Sequence, residues 1–184
     1  MPATATVSVL TYFAPFDDTT SLFLKFVASA QKSIDTVIYG MHLPAFEDLL
    51  IEKHRQGVRI SLVLDHSQSA GKAEAQEVRR LVDAGVPLII GTSPMHGQIL
   101  HSKFTVVDGH AVEHGSWNYS LSAAAQSNTM CFVDDAAYAA EFLKHHDRLI
   151  AFIKLHEHIT QPTGATLAEV AVPVSEAPVE SPPA

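Results

Sequence analysis

The run Ile99-Leu100-His101-Ser102-Lys103-Phe104-Thr105-Val106-Val107-Asp108-Gly109-His110-Ala111-Val112-Glu113-His114-Gly115-Ser116-Trp117-Asn118 decides how this chain is read. Two strand-like stretches, Ile99 to Val107 and Ala111 to His114, flank Asp108-Gly109, a dipeptide strongly tied to tight hairpin turns. Residues two apart on a strand share a face, so His101 and Lys103 project together with Thr105 and Val107 below them. A two-residue turn sets His101 against Ser116 with Asn118 just beyond, and a three-residue turn shifts this pairing by one position. The register therefore gathers an imidazole, an ammonium, a hydroxyl and a carboxamide into one region. Such a set suits a phosphoryl group: imidazole is a nucleophile and proton carrier near neutral pH. Ammonium and amide donors stand ready for charge that builds on phosphoryl oxygens. No carboxylate is expected on that inner face, so the oxygen-rich cradle for magnesium is missing, and neither a metal nor another cofactor is expected.

Outward from the hairpin, strand and helix signals alternate. Strands are expected at Val7 to Phe13, Ile34 to Tyr39, Val58 to Leu64, Val86 to Ile90 and Thr129 to Val133. Helices are expected over Leu22 to Ala30, from Pro44 through Arg55, over Ala73 to Ala84, and from Asp135 to about His158. The pattern predicts an α/β fold, a mixed β-sheet flanked by helices and parallel in its first part. Residues 1–160 read as one domain. Residues 161–184 read as a disordered acidic tail rich in Pro and Ala, with no Lys or Arg.

Among 184 residues, 47% are hydrophobic and 17% charged, which suits a globular domain. The formal net charge of -8 argues against a protein whose whole surface grips nucleic acid, though not against a locally positive cleft. The single cysteine, Cys131, lies in an apolar run and reads as a buried thiol. No basic start leads into a sustained apolar stretch, and no apolar run is long enough to span a bilayer, so a cytoplasmic protein is expected. The pairs His110 and His114, His145 and His146, and His156 and His158 lack zinc-ligand company and read as solvated surface. His42 and His66 follow strands, at sheet ends where such folds place their sites. The Arg79-Arg80 pair reads as a solvated helix face. Trp117 and Tyr119 are open between stacking on bases and filling the sheet's far face.

The spacing His101-x-Lys103-x-x-x-x-Asp108, followed by Gly115-Ser116-Trp117-Asn118, resembles the H-x-K-x-x-x-x-D signature and G-S-x-N segment of the phospholipase D superfamily. Upstream, Tyr12-Phe-Ala-Pro15, Ser33 to Tyr39, and Gly57 to Asp65 with Ser67-Gln68 resemble its single-domain nuclease branch. The likeness covers roughly residues 7–155, and the signature occurs once. It implies a half-domain that forms a homodimer with a shared active site. One His101 would attack phosphorus, and the other would protonate the leaving oxygen. Lys103 and Asn118 would hold phosphoryl oxygens, and Ser116 would orient a histidine. Asp108, the last of the candidate site residues, would anchor the turn.

Many nuclease members carry a glutamate after the G-S-x-N segment, whereas this chain has Gln126-Ser127-Asn128-Thr129, where Gln126 or Asn128 could accept the same hydrogen bond. A metal-independent phosphodiesterase, an endonuclease on DNA or RNA, is the expected function. A lipid phosphodiesterase acting on a phospholipid headgroup and a catalytically weak binding or scaffold protein are the alternatives.

Overall fold

Strand β2 (Ser33–Ile38) occupies the middle of the sheet, and all six of its residues are buried. The computed structural model describes residues 7–156. The tail expected at 161–184 and the end of the last helix at His158 lie outside them. In chain order the elements are β1 (Val9–Ala14), α1 (Thr19–Ala28), β2, β3 (Met41–His42), α2 (Pro44–Arg55), β4 (Arg59–Asp65), α3 (His66–Ser69), α4 (Lys72–Asp83) and β5 (Leu88–Gly91). There follow β6 (Lys103–Val107), β7 (Ala111–Gly115), β8 (Tyr119–Ser120), α5 (Leu121–Ala124), β9 (Asn128–Asp134) and α6 (Ala136–His156).

Seven strands form one mixed sheet in the order β1-β9-β7-β6-β2-β4-β5. Strands β2, β4 and β5 are parallel, while β6 returns antiparallel beside β2 and continues antiparallel through β7, β9 and β1. The expected α/β architecture, parallel in its first part, is the one observed. A separate parallel pair, β3 with β8, sets Met41 beside Tyr119.

Each face of the sheet is covered. On one side Phe23, Phe46, Leu50, Leu64, Trp117 and Tyr119 belong to the larger core, with α1, α2 and α4. On the other, Val37, Val63, Phe104, Val106, Leu149 and Ile153 pack together beneath α6. A buried side chain of this size contributes roughly 1.5–3 kcal/mol by leaving water. Alternation along β6 is the reason Phe104 and Val106 serve the α6 side while Thr105 and Val107 serve the other.

This topology brings one set of strand ends to a single edge: the C-terminal ends of β1, β2, β4, β5 and β7 and the N-terminal ends of β6 and β9. His101, Gly115 and Ser116 lie there. One expectation changes and one open choice is decided. Strand β6 begins at Lys103, not at Ile99, because the Leu100 amide donates to the Asp65 carboxylate (2.7 Å) instead of a strand neighbour. The hairpin turn holds three residues, since Val107 pairs with Ala111. Asp108 (φ 54) and Gly109 (φ 76) both adopt the left-handed conformation that closes it.

Cys131 is half-buried rather than a core thiol, with its Sγ 3.6 Å from Thr11 Oγ1. Arg80 is not simply a solvated residue: it bridges α4 to α2 through Asp48 and also pairs with Glu77 (2.5 Å). No helix among the described residues is long and apolar enough to cross a membrane.

Candidate active site

His101 immediately precedes the β6 ladder and is exposed, whereas Lys103, two residues on, is 8% exposed. The Lys103 Nζ donates to the His101 carbonyl oxygen (2.9 Å) and lies 5.1 Å from the centroid of the Tyr39 ring. The same Tyr39 ring meets the His101 imidazole edge to face, with centroids 4.6 Å apart. Imidazole and ammonium therefore share one aromatic neighbour at the end of β2. Burial lowers the Lys103 pKa below the ordinary lysine value.

Asn118 approaches from the other side of the same turn. Its Oδ1 is buried without a hydrogen-bond partner. A Cβ on Gly40 would lie 3.4 Å from its Cγ, and the Tyr119 amide donates to the Gly40 carbonyl (3.0 Å). Tyr39 thus contacts the His101-Lys103 side and Gly40 the Asn118 side.

Ser116 is committed elsewhere. Its hydroxyl donates to Asn128 Oδ1 (3.0 Å) and accepts from the Thr129 amide (3.0 Å). The Asn128 Nδ2 in turn donates to the Ala123 carbonyl (3.0 Å). This clasp joins β7 to β9, and no hydrogen bond links Ser116 or Asn128 to His101 among the described residues. Gly115 has no room for a side chain there, since a Cβ would lie 2.1 Å from the Thr129 carbonyl oxygen.

Asp108 lies at the far end of the hairpin. Its carboxylate accepts from the amides of Gln31 (3.0 and 3.1 Å), Lys32 (2.6 Å) and Ser33 (2.9 Å), and its own amide donates to the Ser33 carbonyl (2.9 Å). Burial alone would raise its pKa, but those donors outweigh it and hold the group below the ordinary carboxylate value. The anchoring role, not a place among the reacting groups, is what this geometry supports.

A carboxylate does lie on the inner face, against the sequence expectation. The three-residue turn pairs Thr105 with Glu113 rather than with Val112. A one-residue slip exchanges the two faces of β7, so Glu113 points inward. It is 1% exposed and ends a buried chain: Thr36 Oγ1 to Thr105 Oγ1 (2.9 Å), Thr105 Oγ1 to the Tyr119 hydroxyl (2.9 Å), and that hydroxyl donating to Glu113 Oε2 (2.6 Å). Trp117 and Tyr119 are fully buried, so neither presents a ring to a base. Their core is on the Lys103-Thr105 side, not the sheet's far face.

Loss of hydration raises the Glu113 pKa from the ordinary 4.5 to about 8, opposed only by the Tyr119 hydroxyl. Between those values the folded chain keeps a proton that the unfolded chain has released. Stability from this group is therefore full below 4.5 and declines as pH rises toward 8, by about 1.4 kcal/mol per pH unit. Glu113→Gln keeps an acceptor for Tyr119 and removes that decline. Urea melts from pH 5 to 8 should show a smaller loss of stability in the variant. Equal slopes in the two proteins would mean the carboxyl is already ionised in the folded state.

Two histidines, His114 and His146, depart from the solvated-surface expectation, while His110, His145 and His156 are exposed. His114 is half-buried, with Nε2 3.0 Å from the Tyr138 hydroxyl, and burial lowers its pKa. His146 is 2% exposed, with Nδ1 3.2 Å from Asp147 Oδ1. His110 is exposed and sits 2.7 Å from Asp134, and His156 stacks on Phe152. His42 and His66 are exposed, as rim residues would be. An open recess of about 370 Å³ beside the site is lined by Ser102, Lys103, Gly115 and Glu141 and by the rings of Phe104, His114, Phe142 and His145. No group of three or more His, Cys, Asp or Glu that could hold a metal ion occurs among the described residues.

Sequence reasoning missed Tyr39, Gln68 and Asp65 as parts of the site. The signal available was position: all three lie at or just beyond C-terminal ends of parallel strands, where open α/β sheets bind ligands.

The sequence model described as "Cardiolipin synthase, PLD-like domain" matches residues 23–150, more than half of the chain. The chain belongs to the phospholipase D-like family. This phospholipase D-like chain is 25% identical over 130 residues to a mitochondrial cardiolipin hydrolase of Chlamydomonas reinhardtii, covering 70% of this chain and 56% of that protein. A phospholipase D of Rickettsia prowazekii is 27% identical over 139 residues, covering 75% of this chain and 65% of that protein. The chain thus spans less than two thirds of the length of these curated relatives. Among solved structures, the phospholipase D family member Nuc from Salmonella typhimurium superposes with a TM-score of 0.71 at 26% identity. That match covers 78% of this chain and 93% of Nuc.

Proposed function

We propose that this phospholipase D-like chain is a metal-independent phosphodiesterase that cleaves nucleic acid through a phosphohistidine on His101, in a site shared by two copies. The observation that carries the reading is the pairing of an exposed imidazole with a buried ammonium across one Tyr39 ring. An imidazole nitrogen of His101 attacks phosphorus, a P–N bond forms, and the bond from phosphorus to the leaving oxygen breaks. His101 of the second copy gives that oxygen a proton. It then takes a proton from water as the water oxygen attacks phosphorus and the P–N bond breaks, releasing a phosphomonoester. Lys103 and the amide of Asn118 stabilise the phosphoryl oxygens, a task that favours donors fixed before the reaction begins. A single motif supplies one histidine per chain, and two-fold pairing supplies the other.

Nucleic acid is preferred because the likeness to Nuc takes in nearly all of that protein, whereas the relatives named for lipid hydrolysis are matched over a smaller share of their length. A lipid diester is the second reading. It is favoured by the names of those relatives and by the exposed apolar side chains of Phe16, Met95 and Ile99, on loops at the sheet edge that holds His101, and of Leu121 at the start of α5.

The test is one panel in EDTA: single- and double-stranded DNA, RNA, and vesicles of cardiolipin or phosphatidylcholine. Shortened nucleic acid with intact lipid supports the first reading. Released headgroup or phosphatidic acid with intact nucleic acid replaces it with the second. Inertness on every substrate removes the enzymatic reading and leaves a binding protein. Native mass measurement should show a dimer, and a strict monomer would rule out the shared site.

A further inference from the structure

The His101 side chain is exposed and makes no hydrogen bond among the described residues, so little but its contact with Tyr39 fixes the ring. An imidazole that must meet phosphorus in line cannot be left to sample its rotamers freely, because misplacement of a reacting atom by about 1 Å costs on the order of 100-fold in rate. Tyr39 is itself held in place. Its hydroxyl accepts a hydrogen bond from Gln68 Nε2 (2.9 Å). Gln68 sits on α3, a single turn of helix too short to hold itself in place.

That turn is pinned by Asp65, the last residue of β4, whose carboxylate is fully buried. One oxygen accepts from the Ser67 amide (2.9 Å), the Ser67 hydroxyl (2.5 Å) and the Gln68 amide (3.2 Å). The other oxygen accepts from the amide of Leu100 (2.7 Å), the residue just before His101. One buried carboxylate thus sets two things: the backbone that delivers His101 and, through Gln68 and Tyr39, the surface on which the imidazole rests. Lys103 shares that surface, and its Nζ is also tied to the His101 carbonyl.

We propose that Asp65, Gln68 and Tyr39 form a positioning arm that holds the His101 imidazole and the Lys103 ammonium in their reactive orientation. None of the three is a catalytic residue. The proposal rests on the phosphodiesterase reading for its kinetic consequence, but the geometry of the arm can be read without turnover.

The experiment uses the full chain labelled at histidine, with bis(p-nitrophenyl) phosphate as the diester. His101 ring resonances are assigned by their absence from His101→Ala. Tyr39→Leu removes the ring, Gln68→Leu removes only the bond to the hydroxyl, and Gln68→Glu replaces that donor with an acceptor for it. Both Gln68 variants alter a half-buried side chain outside the main cores, so folding should survive; thermal melts check this.

The expected results are a shift of the His101 ring protons in Gln68→Leu, which keeps the Tyr39 ring and its ring current, and in Tyr39→Leu a fall in kcat of about 100-fold with KM within about twofold. Gln68→Leu should lower kcat about 10-fold, and Gln68→Glu should recover most of that loss. Unmoved His101 resonances in Gln68→Leu overturn the arm, whether or not the protein is active. So does a wild-type kcat in both Tyr39→Leu and Gln68→Leu, or a loss confined to KM. Should the wild-type chain hydrolyse no diester at all, the phosphodiesterase reading fails, and the resonances still decide the arm.

Discussion

Replacing His101 by alanine is expected to abolish phosphodiester hydrolysis while leaving the fold and its thermal stability intact. The expected loss is on the order of 10⁴-fold or more, the scale seen when a nucleophile that acts as part of a unit is removed. Stability should hardly change, because the side chain is exposed and, among the described residues, packs against the Tyr39 ring. Such a ring contact is worth roughly 0.5–1.5 kcal/mol when desolvated, and less at a surface. A two-copy site makes a sharper demand. When wild-type and His101→Ala chains are unfolded together in equal amounts and refolded, about a quarter of the dimers carry two imidazoles and about half carry one. If each turnover needs both, activity falls to about a quarter of that of an equal total amount of chain that is all wild-type. If each chain works alone, it falls to about half. A value near one half would remove the shared site while sparing His101 as nucleophile, and hydrolysis persisting in His101→Ala would remove both.

Most of the sheet was legible from the sequence, because the strands and helices that cross the core are long enough to show their period. Helix α2 begins at Pro44 and ends at Arg55, where a proline start and a following glycine bound it. The elements that escaped were the shortest. Strands β3 and β8 have two residues each, and α3 and α5 four, too few for any repeat to register. Yet β3, β8 and α3 are the pieces that place Asn118 and Gln68.

The site was legible as a list of side chains and less so as a geometry. His101 and Lys103 do meet at one Tyr39 ring, although His101 lies just before β6 rather than within it. The identity of the carboxylate beneath them turned on a single residue of turn length, since the alternation of β7 assigns either Val112 or Glu113 to the inner face. Asp108-Gly109 is compatible with both turn lengths, so nothing local could choose. What chose was a long-range contact: the Asp108 carboxylate reaches back to the amides of residues 31–33, and the left-handed Asp108 makes that reach possible.

That same contact carries the second large effect. Asp108→Ala should lower stability at neutral pH by about 3 kcal/mol, the sum of lost charge-assisted hydrogen bonds to half-exposed amides and the cost of holding alanine in a left-handed conformation. For a domain of this size that corresponds to a fall in Tm of roughly 6–12 °C. Asp108→Asn should lose less, because an amide keeps one acceptor oxygen and asparagine tolerates the left-handed region.

The pH dependence has a definite sign. The folded Asp108 pKa lies below the ordinary 3.8, so its contribution is complete above that value and is lost as pH falls through the lower one. Urea melts at pH 7 and at progressively lower pH should therefore show wild type and Asp108→Ala drawing together in acid, while the residual gap reports the backbone cost together with the hydrogen bonds a neutral carboxyl still accepts. Assayed well below either midpoint, the variant should keep wild-type kcat. The Asp108 carboxylate binds amides at one end of the hairpin, and the chemistry occurs at the other. A variant with unchanged Tm and a lost kcat would instead place this carboxylate among the reacting groups, and the hairpin would need a different anchor.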